Sequence, residues 1–180
     1  MFEKIQGSKI MIKSISIDDI DALIFDFDGV LTDNLVHLNQ DGKEWVSCNR
    51  SDGLAFDVLR KLNKPTYIVS SEKNLVVTAR AEKLNIPVFQ GVKDKITVIQ
   101  TLENDYGYSV DRLLYIGNDL NDFMAMKICG YSACPADSHH IIKELSDIVL
   151  NTKGGAGIVR ELLEDILKIN FIEILYMEKK

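Results

Sequence analysis

Short, strongly apolar runs recur along the chain and do most to limit its fold. They are Ala22-Leu23-Ile24-Phe25, Tyr67-Ile68-Val69, Val88-Phe89, Leu113-Leu114-Tyr115-Ile116, Tyr131-Ser132-Ala133 and Ile148-Val149-Leu150. Each is too short for a buried helix, and helix-length amphipathic stretches separate them. Leu54, Val58, Leu59 and Leu62 share one helical face, as do Ile96, Ile99 and Leu102. Strands alternating with helices in this way form repeated βαβ units around a parallel sheet, so the expected fold class is α/β.

Composition agrees with a single packed domain. The chain has 180 residues, 46% of them apolar and 27% charged, with three prolines and eleven glycines. That is a globular composition, neither disordered nor collagen-like. No stretch approaches the run of about eighteen apolar residues a membrane helix needs, and Glu3 interrupts the N-terminus where a signal peptide would be apolar. The expectation is a cytoplasmic protein with no membrane partner. With 21 basic against 27 acidic side chains, a net charge of −6 and no basic stripe, nucleic acid is not an expected partner either. Cys48, Cys129 and Cys134 lack Cys-x-x-Cys spacing and read as incidental thiols.

One segment breaks the alternation. Leu35 to Val46 places Asn39-Gln40-Asp41-Gly42 between two β-prone arms, which reads as a hairpin just after the first strand, where it could cover a ligand crevice.

The residues that carry chemistry lie at the ends of predicted strands. Asp26-Phe27-Asp28-Gly29 follows the first apolar run, where a parallel sheet opens its ligand crevice. Carboxylates two apart on an extended segment point the same way. Their repulsion raises one pKa or recruits a cation, and Mg²⁺ suits oxygen ligands while keeping waters that a phosphate can replace. One carboxylate can then attack phosphorus while the other exchanges a proton with the leaving oxygen. On this tetrad alone, a solvated turn or a calcium loop is as good a reading. Ser70 ends the second run, where it can bind a phosphate oxygen or simply cap a helix. Lys95 begins a predicted helix, where a cation opposes the helix dipole unless an anion lies nearby; alone, it reads as a surface lysine. Gly117-Asn118-Asp119-Leu120-Asn121-Asp122 adds an oxygen-rich cluster at a later strand end, or a helix cap with acids in its first turn.

Taken in order, these blocks resemble the haloacid dehalogenase superfamily of aspartyl-phosphate-forming phosphatases, from about Leu23 to Glu161. The hairpin, Asn49-Arg50-Ser51-Asp52-Gly53, the Gln90-Gly91 and Asp94-Lys95 pairs and Gly154-Gly155-Ala156-Gly157-Ile158-Val159-Arg160-Glu161 are similar to its small, cap-less branch, which hydrolyses phosphates of keto-deoxy sugar acids. The resemblance implies a single Rossmann-like three-layer sandwich over residues 21–170 with a hairpin flap and no large cap domain. Residues 1–20 are then an N-terminal extension and 171–180 a C-terminal tail.

It also implies roles. Asp26 matches the nucleophile, Asp28 the acid/base, and Ser70 and Lys95 the groups that hold the phosphoryl oxygens. Asp26, Asp28, Asn118, Asp119 and Asp122 match the Mg²⁺ site. Thr32, Ser51, Asp52, Ser71, Glu72, Lys83 and Arg160 are the implied contacts to a phosphorylated sugar-acid substrate. Relatives form tetramers in which hairpins pack together and the Gly-rich tail reaches a neighbouring site, so a homotetramer is expected, with Arg160 supplied in trans.

Two departures matter. Most relatives have Gly-Asp-Asp where this chain has Gly117-Asn118-Asp119; the Asn amide oxygen can still ligate but brings no charge. The same change occurs in phosphatase-like domains fused to sialic-acid-activating synthetases, which leaves a weakly active or non-catalytic assembly domain as the alternative. Eight-carbon 3-deoxy-D-manno-octulosonate 8-phosphate phosphatases carry arginines at the positions of Glu72 and Ser51. Glu72 and Lys83 instead resemble a pair in the nine-carbon branch, which favours a nonulosonate 9-phosphate. A phospho-acceptor signalling receiver shares an acidic strand end and a lysine but has no use for the second aspartate of Asp-x-Asp.

Overall fold

The computed structural model describes residues 15–177. Its strands are β1 (Ala22–Asp26), β2 (His37–Leu38), β3 (Glu44–Trp45), β4 (Thr66–Ser70), β5 (Val88–Gln90), β6 (Leu113–Ile116), β7 (Tyr131–Cys134) and β8 (Ile148–Val149). Its helices are α1 (Ser51–Lys61), α2 (Leu75–Leu84), α3 (Ile96–Tyr106), α4 (Phe123–Ile128), α5 (His140–Leu145), α6 (Ile158–Glu161) and α7 (Phe171–Tyr176), with a π-helical turn at Leu162–Ile166. The main sheet is parallel, in the order β5-β4-β1-β6-β7-β8.

Strand periodicity sorts the core into two layers. Leu23, Phe25, Ile68, Leu114 and Ile116 face one side, where α1, α2, α6 and α7 supply Phe56, Leu59, Val77, Ile158 and Phe171. Ala22, Ile24, Val69, Leu113 and Tyr115 face the other, against Ile99 and Leu102 of α3, Met126 of α4 and Ile142 of α5. The expected three-layer α/β/α sandwich therefore follows from both faces of each central strand being apolar. Each fully buried Leu, Ile or Phe contributes about 1.5–3 kcal/mol by leaving water.

Local chemistry ends the helices where packing needs them to end. The Asn74 side chain accepts from the Val76 amide to start α2, and Asn85 closes it in the left-handed region. Gly107, at φ +74°, closes α3.

Packing is continuous past both ends of the expected 21–170 domain. Ile20 and Phe171 are buried in the same cluster, and residues 171–176 form a helix against α1. Within the expected N-terminal extension, residues 1–14 lie outside the described part. The expected hairpin is present but short. The Asn39 Oδ1 accepts from the amides of Asp41 and Lys43, and the His37 and Trp45 rings stack at 5.3 Å. Leu35, Val36, Leu38 and Trp45 remain exposed. Cys48, Cys129 and Cys134 are free thiols. Among the described residues, no helix is long and apolar enough to cross a membrane.

Candidate active site

The chain enters the sheet at β1, adds β4 and β5 on one side, then crosses over to place β6 on the other. Such a switch point opens a crevice at the carboxyl ends of the two central strands. Phe25 pairs with Ile116, so Asp26 and Gly117 leave the sheet side by side. Asp26, Asp28, Ser71, Glu72, Asn118 and Asp119 line the resulting pocket of about 380 Å³, together with Asn34, Leu120 and Asn121.

Beneath the pocket is a buried ion-pair network. Lys95 Nζ lies 2.8 Å from Asp26 Oδ1 and 2.6 Å from Asp122 Oδ1, with all three side chains no more than 5% exposed. Asp122 Oδ1 also accepts from the Tyr115 hydroxyl at 3.0 Å, and its Oδ2 accepts from the amides of Asn118 at 2.9 Å and Asp119 at 3.4 Å. Both oxygens of Asp122 are thus committed to fixing Lys95 and the Asn118 loop. Gly117 permits this, since a Cβ there would sit 2.6 Å from the Asp122 side chain. The odd placement of a lysine at a helix start is resolved by the two carboxylates it meets.

Burial pushes the Asp26 carboxyl well above its ordinary pKa, and the Asp122 charge adds to this; Lys95 and the Phe27 amide, 2.8 Å from Asp26 Oδ1, oppose it. Burial likewise pulls Lys95 down, but Asp26 and Asp122 outweigh it and hold the ammonium above its ordinary value. Asp28 is raised by burial and then by Glu72, with Lys95 acting against and Glu44 with them. A carboxyl held up in this way can carry a proton.

The remaining expected residues divide by location. Ser70 is buried, and its Oγ accepts from the Glu72 amide at 3.1 Å; it is Ser71 that lines the pocket, its Oγ accepting from Asn121 Nδ2 at 3.2 Å. Thr32 is fully buried, its Oγ1 accepting from the amides of Gly29 and Asn34. The Ser51 hydroxyl donates to Asn49 Oδ1, and Asp52 Oδ1 accepts from the Val159 amide at 3.1 Å. Burial pushes Asp52 up to about 6, with the Val159 amide and Arg80 acting against it. Lys83 lines a separate cavity with Arg50 and Arg80, away from Glu72. Arg160 pairs with Glu164 at 2.9 Å and stacks over Phe171. Thr32, Ser51, Asp52, Lys83 and Arg160 are therefore not brought to the pocket wall within one chain.

Asn34 and Tyr115 are not among the residues the sequence pattern singles out for the site, and Asn121 stands there only as part of the cluster at residues 117–122. Asn34 takes φ +62°, a conformation Asn tolerates better than most residues, and the Asp33-Asn34 pair after a strand loop was the available signal. A second pocket of about 240 Å³ adjoins Asp28 and Glu72, walled by Leu35, Val36 and Val46 of the hairpin segment and by Val76 and Val77. Asn74 Nδ2 ties the hairpin to α2 by donating to Glu44 Oε2 at 2.6 Å.

Among the described residues, no three His, Cys, Asp or Glu side chains converge as a metal-binding group. The donor set nevertheless fits a hard cation. Asp26, Asp28, Glu72 and Asp119 bring four carboxylates to the first pocket, Asn118 adds an amide oxygen, and no Lys or Arg among the described residues is on its wall. Asn118 closes over Gly29 so tightly that a Cβ on Gly29 would lie 1.9 Å from its Nδ2.

Residues 54–162 match the model of the haloacid dehalogenase-like hydrolases. The 3-deoxy-D-manno-octulosonate 8-phosphate phosphatase of Salmonella typhi is 30% identical over 151 residues, covering 83% of this chain and 80% of the relative. A HAD family hydrolase structure from Streptomyces avermitilis superposes with a TM-score of 0.85 at 37% identity, covering 89% of this chain and 98% of that one. The octulosonate 8-phosphate phosphatase of Moraxella catarrhalis, solved with magnesium, phosphate and the sugar acid, gives a TM-score of 0.79 at 30% identity, covering 83% and 87%. Fold, strand-end carboxylates and sequence agree, and the chain belongs to the haloacid dehalogenase-like hydrolase family.

Proposed function

We propose that the chain hydrolyses the phosphate monoester of a keto-deoxy sugar acid, with Mg²⁺ as cofactor. The observation that carries this is Asp26 and Asp28 on the wall of one pocket, with Lys95 2.8 Å from Asp26. An Asp26 oxygen forms a bond to phosphorus as the ester P–O bond breaks, and Asp28 gives its proton to the leaving oxygen. Water then attacks the aspartyl phosphate while Asp28 takes back a proton, which frees phosphate and Asp26. Lys95 favours the ionised form of Asp26 that attack requires. Bound Mg²⁺, held by the Asp26 carboxylate, the Asp28 backbone carbonyl and Asn118 with Asp119 nearby, would neutralise charge on the phosphoryl oxygens, leaving the Asp28 side chain free to carry its proton. Asp122 takes part by holding Lys95 and the Asn118 loop.

The leaving group belongs in the adjoining pocket. Glu72 and Glu44 offer acceptors beside an apolar wall, which suits hydroxyls or an acylamino group better than a carboxylate. Both candidate esters carry a carboxylate at the end remote from the phosphate, so the discrimination comes from the acylamino group. This favours a nine-carbon nonulosonate 9-phosphate over the eight-carbon ester named for the relatives. The exposed apolar hairpin supports a homotetramer in which a neighbour completes each site.

Turnover of a panel of eight-carbon and nine-carbon sugar-acid phosphates with Mg²⁺ tests the reading. Asp26→Asn is expected to abolish it, and undiminished turnover in that variant would refute it. Asn118 supports the second reading, a weakly active assembly domain beside a sialic-acid-type synthetase. Robust turnover at saturating Mg²⁺ would remove that alternative.

A further inference from the structure

The geometry points to the segment Gly154–Gly157 as a buttress within the chain that fixes the loop carrying Asp28, with Asp52 as the positioning residue that anchors it. The effect on turnover rests on the phosphatase reading; the effect on the loop does not.

The loop after β1 is a closed turn. Amides of Val30, Leu31 and Thr32 lie 3.4, 2.9 and 3.2 Å from the Phe27 carbonyl oxygen to which they donate. Thr32 Oγ1 accepts from the Gly29 amide at 3.1 Å and the Asn34 amide at 3.3 Å. Asp28 is carried inside this turn, so its position follows from the turn's.

The glycines press on that turn with bare backbone. The Gly155 amide donates to the Val30 carbonyl at 3.0 Å. A Cβ on Gly154 would lie 2.1 Å from the Gly29 carbonyl oxygen, and one on Gly155, at φ +66°, would lie 2.4 Å from the Asp33 nitrogen. Only glycine reaches so close.

Behind the glycines, carboxylates hold the segment in place. The Gly154 amide donates to Asp137 Oδ1 at 2.9 Å, and the Asn151 and Thr152 amides donate to Glu161 at 2.8 and 2.7 Å. Asp52, 1% exposed at the start of α1, accepts from the Val159 amide at 3.1 Å, and its Oδ2 has no hydrogen-bond partner among the described residues. A Cβ on Gly157 would meet Ser51 Oγ at 2.7 Å, so the segment is wedged between α1 and the Asp28 loop. Asp52 thus reaches Asp28 through one span of backbone rather than through the pocket.

Loosening this wedge displaces a proton donor, and the loss depends on how much the leaving group needs a proton. A sugar alkoxide needs one; para-nitrophenolate leaves without it. The full chain and its Asp52→Ala, Asp52→Asn, Gly155→Ala and Gly107→Ala variants are compared in two ways. One is amide hydrogen exchange over residues 27–34; the other is kcat with Mg²⁺ for para-nitrophenyl phosphate and for the preferred sugar-acid phosphate. Gly107 is the control for backbone strain: its φ is +74° and a Cβ there would touch nothing within 4 Å.

Exchange over residues 27–34 is expected to rise in Asp52→Ala and Gly155→Ala but not in Gly107→Ala. The ratio of sugar-phosphate to para-nitrophenyl phosphate kcat should fall about tenfold in the first two variants, as expected for a catalytic group misplaced by a fraction of an ångström. Asp52→Asn, which keeps an acceptor for Val159, should retain most of that ratio. Unchanged exchange over residues 27–34 in Gly155→Ala would overturn the buttress, even if Asp52→Ala does not fold. Exchange that rises equally along the whole chain would also overturn it. If the wild-type chain turned over neither phosphate, the phosphatase reading would fall while the exchange data still judged the buttress.

Discussion

Lys95→Met removes one ammonium and strands two carboxylates. Lys95 Nζ is 2.8 Å from Asp26 Oδ1 and 2.6 Å from Asp122 Oδ1, and neither acid is more than 5% exposed. At an effective dielectric of about 20, each contact carries about 6 kcal/mol of gross attraction. Desolvating three ions offsets most of that, so a net loss of about 3–5 kcal/mol is expected, as for other buried pairs broken on one side. The sign of the pH dependence follows from the same contacts. Asp26 is already raised by burial and by Asp122, and Lys95 is what opposes this, so the variant raises it further. A carboxyl raised in the folded state stabilises fully below its unfolded pKa and loses that contribution as pH rises through the folded value. The variant should therefore be nearer wild type at pH 4 than at pH 8. Urea unfolding of both proteins at the two values measures it. A loss below about 1 kcal/mol at pH 8, or one independent of pH, would refute the account of Lys95 as the counter-ion of a buried acid pair.

Asn118→Asp should lower the Mg²⁺ dissociation constant about tenfold, equivalent to about 1.4 kcal/mol, in an isothermal titration; an unchanged constant would remove Asn118 from the cation site. Asp28 is raised by burial and then by Glu72, so kcat/KM should decline as pH rises through its pKa. Glu72→Gln should move that limb to lower pH, and a limb that stays in place would argue against Asp28 as the acid. Burial raises Asp52 from 3.8 to about 6, so its contribution to stability is present below the lower value and lost as pH rises through the upper one. The stability difference between wild type and Asp52→Asn should shift by up to about 3 kcal/mol between pH 4 and pH 7; a constant difference in urea unfolding would contradict a buried, raised carboxyl.

The sheet is legible in the sequence because β1, β4 and β6 are buried on both faces and so read as unbroken apolar runs. Asp26, Asp28, Asn118 and Asp119 are legible for a related reason, since the carboxyl ends of those strands fix where the crevice must open. Side-chain direction is harder to read. Ser70 and Ser71 differ by one position, and on a strand end one position exchanges the buried face for the pocket. Thr32 and Asp52 are substrate contacts by resemblance, yet Thr32 Oγ1 and Asp52 Oδ1 accept from backbone amides. The Tyr115 hydroxyl is a single polar atom on a residue that reads as core, and only the tertiary fold brings Asp122 to it.

Charge explains why so much of this structure serves to hold a few oxygens still. Asp26, Asp28, Glu72 and Asp119 share the pocket wall, while Lys95 is committed behind it to Asp26 and Asp122. A phosphate dianion entering such a pocket meets like charge on most sides, and two unit charges held about 5 Å apart repel by about 3 kcal/mol at a dielectric near 20. On the proposed function, the chain should bind a phosphate ester only together with a cation, each ligand supporting the other's affinity. Asn118 removes one negative charge from this balance: the cation is held less tightly, and the approaching phosphate is repelled less. On that reading, the same substitution that weakens the metal lowers the barrier the substrate meets, and the net effect on turnover should depend on the metal concentration.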